Sequence, residues 1–170
     1  MAGSEGLNGV FAAVARLTVF IAAFSLCALV GVLAWQVYAR YVLNSSPGWT
    51  EPAALTLMGV AALFGAAIAV RAEAHFAFPT LVESAPGPVR ALLKVLARLI
   101  ALGFGAALAG YGAFLMIDSW EVPMAGAPVP EGLGYVGLCG GGAVIALFAL
   151  ERLIFGDPPD PHAATTGQES

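Results

Sequence analysis

The sequence has few charged residues, and this scarcity excludes most soluble folds. Charged side chains make up 11% of its 170 residues and apolar residues make up 59%, whereas an ordinary soluble domain carries roughly 25% charge. Such a composition is typical of an integral membrane protein. We expect no nucleic-acid partner for a chain of this class.

Cysteine and histidine are also scarce, with two residues each. Cys27 and Cys139 stand alone in apolar runs, so neighbouring positions form neither a C-x-x-C redox pair nor a metal-ligand cluster. A b-type haem would need axial ligands within the spans, usually histidines, but His75 lies at a predicted membrane edge and His162 lies in the tail. The sequence therefore predicts no cofactor, no metal site and no enzymatic activity.

Four apolar windows without charge predict transmembrane helices, and they cover residues 17–39, 52–70, 99–117 and 133–150. At a rise of 1.5 Å per residue, each window is long enough to cross a hydrocarbon core about 30 Å thick with modest tilt. The first window is too long for the apolar part of a signal peptide, so we expect it to remain as a helix. The predicted fold is an all-α integral membrane protein whose transmembrane domain covers residues 17–155.

Basic residues are distributed unevenly between the two sides of the predicted membrane. Arg40 lies alone on one side, and six others lie with the termini and the second connection: Arg16, Arg71, Arg90, Lys94, Arg98 and Arg152. By the positive-inside rule, both termini are cytoplasmic. Residues 1–16 are then a cytoplasmic segment, and residues 156–170, rich in Pro, Thr and acids, are a cytoplasmic tail that we expect to be disordered.

The connection between the second and third spans has an amphipathic pattern. After a Pro-Gly-Pro sequence at 86–88, apolar residues recur at helical spacing, and three basic residues lie four positions apart on another face: Arg90, Lys94 and Arg98. We predict a cytoplasmic interfacial helix over about 86–98, anchored to membrane lipid by these three side chains. The alternative is a simple cytoplasmic extension of the third span.

Small residues recur four positions apart in three of the spans. The stripes are Ala61, Gly65 and Ala69 in the second span, Gly105 with Ala109 and Ala106 with Gly110 in the third, and Gly137 with Gly141 in the fourth. Such stripes let membrane helices approach closely. Packing within the chain and docking on another membrane subunit explain the pattern equally well, and both interpretations stay open.

The first external connection carries the residues that indicate a family. An Arg40-Tyr41 pair ends the first span, and a W-x-E element from Trp49 to Glu51 opens the second. With Arg71, His75, the basic leucine-rich segment and a Glu-Arg-Leu-Ile sequence at 151–154, these features resemble the small membrane subunit of tripartite ATP-independent periplasmic (TRAP) transporters, the DctQ-like family. The resemblance extends over roughly residues 30–155.

This resemblance implies a small permease subunit in the bacterial inner membrane. It also implies two partners, a large permease subunit and a periplasmic substrate-binding protein, acting together in sodium-coupled uptake of organic acids. The large subunit would hold the sodium and substrate sites and move as an elevator, while this chain would be a scaffold that supports and anchors it. The candidate subunit contacts are Arg40, Trp49, Glu51, Gly65 and His75.

Several alternatives remain beside this interpretation. The chain could be the small subunit of a tripartite tricarboxylate transporter, or a membrane redox subunit with a cofactor that the sequence does not reveal. Arg40 and Glu51 could form an ion pair with each other across their short connection. Trp49 could belong to an aromatic belt at the membrane interface, and His75 could have a capping or packing role.

Overall fold

The computed structural model describes residues 2–45, 47–72 and 87–156, and within these ranges the chain forms four long helices. Their bounds are Ala2–Tyr41 (α1), Thr50–Arg71 (α2), Gly87–Asp118 (α3) and Val136–Phe155 (α4), and a 3-10 helix at Glu131–Tyr135 leads into α4. All four are long and apolar enough to cross a membrane. For the described residues, the prediction of an all-helical protein with four helices suited to crossing a membrane is therefore confirmed. The predicted disordered tail lies outside the described residues, apart from Gly156.

Local hydrogen bonding and backbone conformation determine where α2 begins and where α4 ends. The Thr50 hydroxyl donates a 2.8 Å hydrogen bond to the Pro47 carbonyl just before α2, and Pro52 lies in the first helical turn, where its missing N–H leaves no intrahelical bond unmade. At the other end of the chain, α4 stops at Gly156, whose φ of +77° is a left-handed conformation that favours glycine.

Two helices are much longer than the spans predicted from hydropathy. The 40 residues of α1 and the 32 residues of α3 correspond to about 60 Å and 48 Å of helix, against a hydrocarbon core of about 30 Å. Segment 1–16 is therefore helical from Ala2 onward. The predicted arm at 86–98 is continuous with the third span, because α3 runs unbroken from Gly87 to Asp118. This continuity agrees with the alternative interpretation, in which the arm is an extension of the third span. A position of its first turns along the membrane surface stays a prediction.

The helices pack in the order α1, α2, α4, α3, which differs from their order in the chain. The principal contacts join α1 to α2, α2 to α4, and α4 to α3. Because α4 lies between two neighbours, it supplies much of the buried core, including Ile145, Phe148 and Ala149. The outer helices α1 and α3 leave many large apolar side chains exposed, as expected for surfaces that face lipid.

Glycines permit the close approach of α4 to its two neighbours. A Cβ atom at Gly142 would lie 2.5 Å from the backbone nitrogen of Ala109 on α3, and one at Gly112 would lie 2.6 Å from the nitrogen of Cys139 on α4. On the α2 side, a Cβ atom at Gly137 would lie 2.8 Å from the Val60 nitrogen, and one at Gly141 would lie 2.5 Å from the Leu63 Cβ. The small residues of the fourth span therefore serve packing within the chain.

The connection between α1 and α2 contacts the connection between α3 and α4. Gly126, with a φ of +81°, packs so tightly on Gly48 that a Cβ at position 126 would lie 2.5 Å from the Gly48 carbonyl oxygen. Around Gly126 the chain closes on itself, since Met124 N–H donates to Val129 O and Glu131 N–H donates to Val122 O, both at 2.8 Å. The α1–α2 and α3–α4 connections thus share one end of the protein, as expected when successive helices cross the membrane in opposite directions.

Candidate functional site

Three of the candidate contact residues lie at the end formed by these two connections. Arg40 is exposed in the last turn of α1, Trp49 is 43% exposed directly before α2, and Glu51 is exposed in its first turn. Thr50, between the last two, is fully buried and holds the start of α2 through its bond to Pro47. This local anchor leaves its two neighbours on the surface, where a partner could reach them.

No salt bridge joins Arg40 and Glu51 among the described side chains, so the structure gives no support to the alternative of an ion pair between them. Glu51 instead borders a cavity of about 410 Å³ between the start of α2 and the α3–α4 connection, together with Pro52, Glu131 and Tyr135. The two carboxylates make this surface acidic.

A second candidate surface is an apolar groove between α1 and α2, which we call the α1–α2 groove. Its volume is about 560 Å³, and small residues supply much of its wall: Ala22, Ala23, Ala61, Ala62 and Gly65. A Cβ atom at Gly65 would meet no heavy atom of the described chain within 4 Å. The stripe in the second span therefore differs from those of α4, because at Gly65 the small residue faces open space.

The opposite end of the protein contains a charged cluster that joins α2 to α4. The Arg71 guanidinium donates to both carboxylate oxygens of Glu151, from Nε at 2.9 Å and from Nη2 at 3.0 Å. Arg152 Nε donates to the Arg71 carbonyl oxygen at 2.7 Å, and Arg71 also lies over the ring of the buried Phe148, 5.4 Å from its centroid. This two-point pairing fixes the register of the two helix ends.

Sequence reasoning missed this cluster. It used Arg71 and Arg152 as positive charges on one side of the membrane, and it used Arg71, Glu151 and Arg152 as parts of the family resemblance, but it did not pair them. The partners are 80 residues apart in the chain, so no local spacing links them. The available signal was that Glu151 is an acid directly after an apolar span, on the side where basic residues predominate.

The remaining predicted residues lie elsewhere. Arg90 is exposed on the first turns of α3, and Lys94 and Arg98 follow along the same helix with partial exposure. Their contact with membrane lipid stays a prediction. His75 lies outside the described residues, so its role as a subunit contact also stays a prediction.

The chain thus has four long apolar helices, an exposed W-x-E element and a cluster of basic residues at one end. Comparison of the sequence with protein-family models identifies a family with the same description as the resemblance. Residues 29–156 match the family described as "Tripartite ATP-independent periplasmic transporters, DctQ component". The chain belongs to this family. The match extends over about three quarters of the sequence, from the last third of α1 to the residue after α4. No curated protein matches the chain.

Membership makes this DctQ protein a small permease component of a TRAP transporter. The resemblance predicted from the Arg-Tyr pair and the W-x-E element is confirmed. The family also implies association with other TRAP components, and it favours this assignment over a tricarboxylate transporter subunit or a redox subunit. The exposed Arg40, Trp49 and Glu51 and the α1–α2 groove are the surfaces that such an association could use.

Proposed function

We propose that this DctQ protein is a scaffold that supports and anchors the large permease subunit during sodium-coupled uptake of organic acids. A periplasmic binding protein would deliver the substrate, and the chain would lie in the bacterial inner membrane with both termini cytoplasmic. The observation that carries the proposal is the α1–α2 groove with its unoccupied space at Gly65. The large permease subunit is the proposed occupant.

Exposed apolar residues alone do not identify a docking face, because every lipid-facing helix surface is apolar. The α1–α2 groove is distinguished by its concave shape and small wall residues. In a membrane, helices associate through close van der Waals packing and through small residues that let backbones approach. A partner helix could insert its side chains into this groove and contact Ala61 and Gly65 directly.

Two further features favour a role for the chain in holding the large permease subunit and anchoring it to the membrane. The exposed Arg40, Trp49 and Glu51 lie beside the start of α2, so one partner could contact them and the groove together, and His75 is proposed to join the same interface. At the opposite end, the helices α1 and α3 extend beyond the thickness of a bilayer. The basic side chains of α3 would anchor that end to the membrane surface through Arg90, Lys94 and Arg98.

A substitution in the groove tests the proposed docking face. We expect Gly65→Leu to abolish co-purification of the large permease subunit, because a leucine side chain fills the space that a partner helix would need. The chain itself should fold normally, since a Cβ at position 65 meets nothing within 4 Å. The measurement is recovery of the permease with affinity-tagged small subunit from detergent-solubilised membranes.

Gly110→Leu is the matched control. Gly110 is likewise an exposed helical glycine whose Cβ would meet no described heavy atom within 4 Å, but it lies on α3, which does not border the α1–α2 groove. Both variants add the same side chain to a helix interior and gain similar helix propensity. Co-purification that survives Gly65→Leu as well as Gly110→Leu would rule out the groove as the docking face.

The proposed orientation can be tested by labelling single cysteines with a membrane-impermeant maleimide. In a chain with Cys27 and Cys139 replaced by alanine, we expect Ala125→Cys to react from outside and Ala91→Cys to react only after permeabilisation. Both positions are exposed. The neighbouring Gly126 is unsuitable because its φ is positive and its contact with Gly48 leaves no room for a side chain. The reverse labelling pattern would contradict cytoplasmic termini.

A further inference from the structure

A cavity at the charged end of the protein combines basic side chains with apolar walls. Its volume is about 510 Å³, and it lies where α1, α2 and α4 meet. Three arginines border it, one from each helix: Arg16, Arg71 and Arg152. We call it the three-arginine cavity. Alanines and two larger apolar residues, Val19 and Ile68, make up the rest of its wall.

The described side chains around the three-arginine cavity carry an excess of positive charge. Glu151 neutralises Arg71 through the two-point ion pair. Arg152 uses its Nε to bind the Arg71 carbonyl oxygen, which has no formal charge. Arg16 is exposed, and no ion pair joins it to an acid within the described ranges. Among the described side chains, therefore, two of the three guanidinium groups have no paired carboxylate.

The position of the cavity along the helices indicates the kind of anion that fits. Arg71 is the last residue of α2, and Arg16 directly precedes the uncharged run of α1, so the guanidinium groups lie near the depth of lipid head groups. Below them, Val19 and Ile68 border both this cavity and the α1–α2 groove. The cavity that the three arginines border and the α1–α2 groove therefore share two apolar wall residues.

We propose that the three-arginine cavity binds the phosphate of an anionic phospholipid, with an acyl chain lying along Val19 and Ile68. Guanidinium groups form charge-assisted hydrogen bonds with phosphate oxygens, and the apolar wall suits a hydrocarbon chain. A soluble phosphate would use only the basic part of the cavity. A zwitterionic lipid would also bring its own positive charge to the two guanidinium groups that no described acid pairs with.

The lipid site does not depend on permease docking. Gly65 lies six residues before Arg71, which is about 9 Å along α2, so the head group at the arginines lies outside the space at Gly65 and only the acyl chain would extend into the α1–α2 groove. The full-length chain can therefore be tested for lipid binding without its partners.

Native mass spectrometry of the full-length chain in detergent micelles tests the proposal. Dioleoyl-phosphatidylglycerol is titrated against the chain, with dioleoyl-phosphatidylcholine and inorganic phosphate as comparison ligands. We expect the anionic lipid to bind most tightly, and Arg16→Gln to weaken it by about tenfold, since one charge-assisted contact is lost. Arg16 makes no ion pair with a described acid, so this change leaves the contact between α2 and α4 intact.

Arg40→Gln is the control, because Arg40 is an exposed arginine near the other end of the same helix. It should leave lipid binding unchanged. Equal binding by the Arg16 and Arg40 variants would overturn the proposal, and so would equal affinity for the two lipids. If inorganic phosphate binds as tightly as the anionic lipid and depends on Arg16 in the same way, the cavity is a site for soluble anions and the lipid assignment fails.

Discussion

Replacing Gly142 by leucine is expected to abolish the folded protein. The Cβ atom alone would lie 2.5 Å from the Ala109 nitrogen and 2.8 Å from the Leu108 Cβ, so α3 must move away from α4 before the rest of the side chain is placed. Overpacking a core costs about 1–3 kcal/mol when side chains can adjust. Here the clash involves the backbone of α3, so we expect the free energy of unfolding to fall by at least about 3 kcal/mol. The measurement is the yield of monodisperse protein in size-exclusion chromatography after detergent extraction.

Gly110→Leu separates this steric effect from the general effect of adding leucine to a helix. Replacing glycine raises intrinsic helix propensity by up to about 1 kcal/mol, which is favourable and opposite in sign to the clash. At Gly110 no neighbour lies within 4 Å of a Cβ, so only the favourable effect operates. A normal yield of Gly142→Leu protein would show that α3 and α4 are not in close contact at this position.

Replacing Glu151 by glutamine is expected to destabilise the chain by about 2 kcal/mol, because Arg71 then keeps its charge without a counter-ion. Removing one partner of a fully buried pair costs about 3–5 kcal/mol. The loss should be smaller here, since the Arg71 side chain is 26% exposed while that of Glu151 is 8% exposed. Glutamine keeps the volume of the side chain, so the change reports on the charge. The free energy of unfolding can be measured by titrating the chain in mixed micelles with sodium dodecyl sulfate.

A double-mutant cycle identifies the origin of this loss. The double variant, with Arg71→Gln and Glu151→Gln, should lose less unfolding free energy than the two single variants lose in sum. The reason is that Arg71→Gln removes the charge that Glu151→Gln leaves unpaired. Glu121→Gln, at an exposed position in the α3–α4 connection, should change stability by less than about 0.5 kcal/mol. Strictly additive losses at positions 71 and 151 would show that the ion pair does not stabilise the chain.

The four helices could be predicted from the sequence because the physics that selects them is local. A window without charge, such as residues 133–150, must be helical in lipid, and α4 follows at Val136–Phe155. The helix ends were less predictable. Hydropathy detects only the part of a helix that suits hydrocarbon, so it placed the first helix at 17–39 although α1 begins at Ala2.

The arrangement of the helices could not be predicted in the same way. Gly65 and Gly141 occur in similar stripes of small residues, yet a Cβ at Gly141 would lie 2.5 Å from the Leu63 Cβ and one at Gly65 would meet nothing. The difference lies in which helix is the neighbour, and periodicity within one helix carries no information about that. The pairing of Arg71 with Glu151 escaped prediction for the same reason.

The order α1, α2, α4, α3 has a consequence for how the chain is made. The first hairpin can assemble as soon as α2 is synthesised, because α1 and α2 are neighbours in the finished protein. The third helix has its principal partner in α4, which is synthesised after the other three described helices. During biogenesis, therefore, α3 is made before its principal partner exists, and the contact between α3 and α4 can form only when α4 inserts between α3 and the first hairpin.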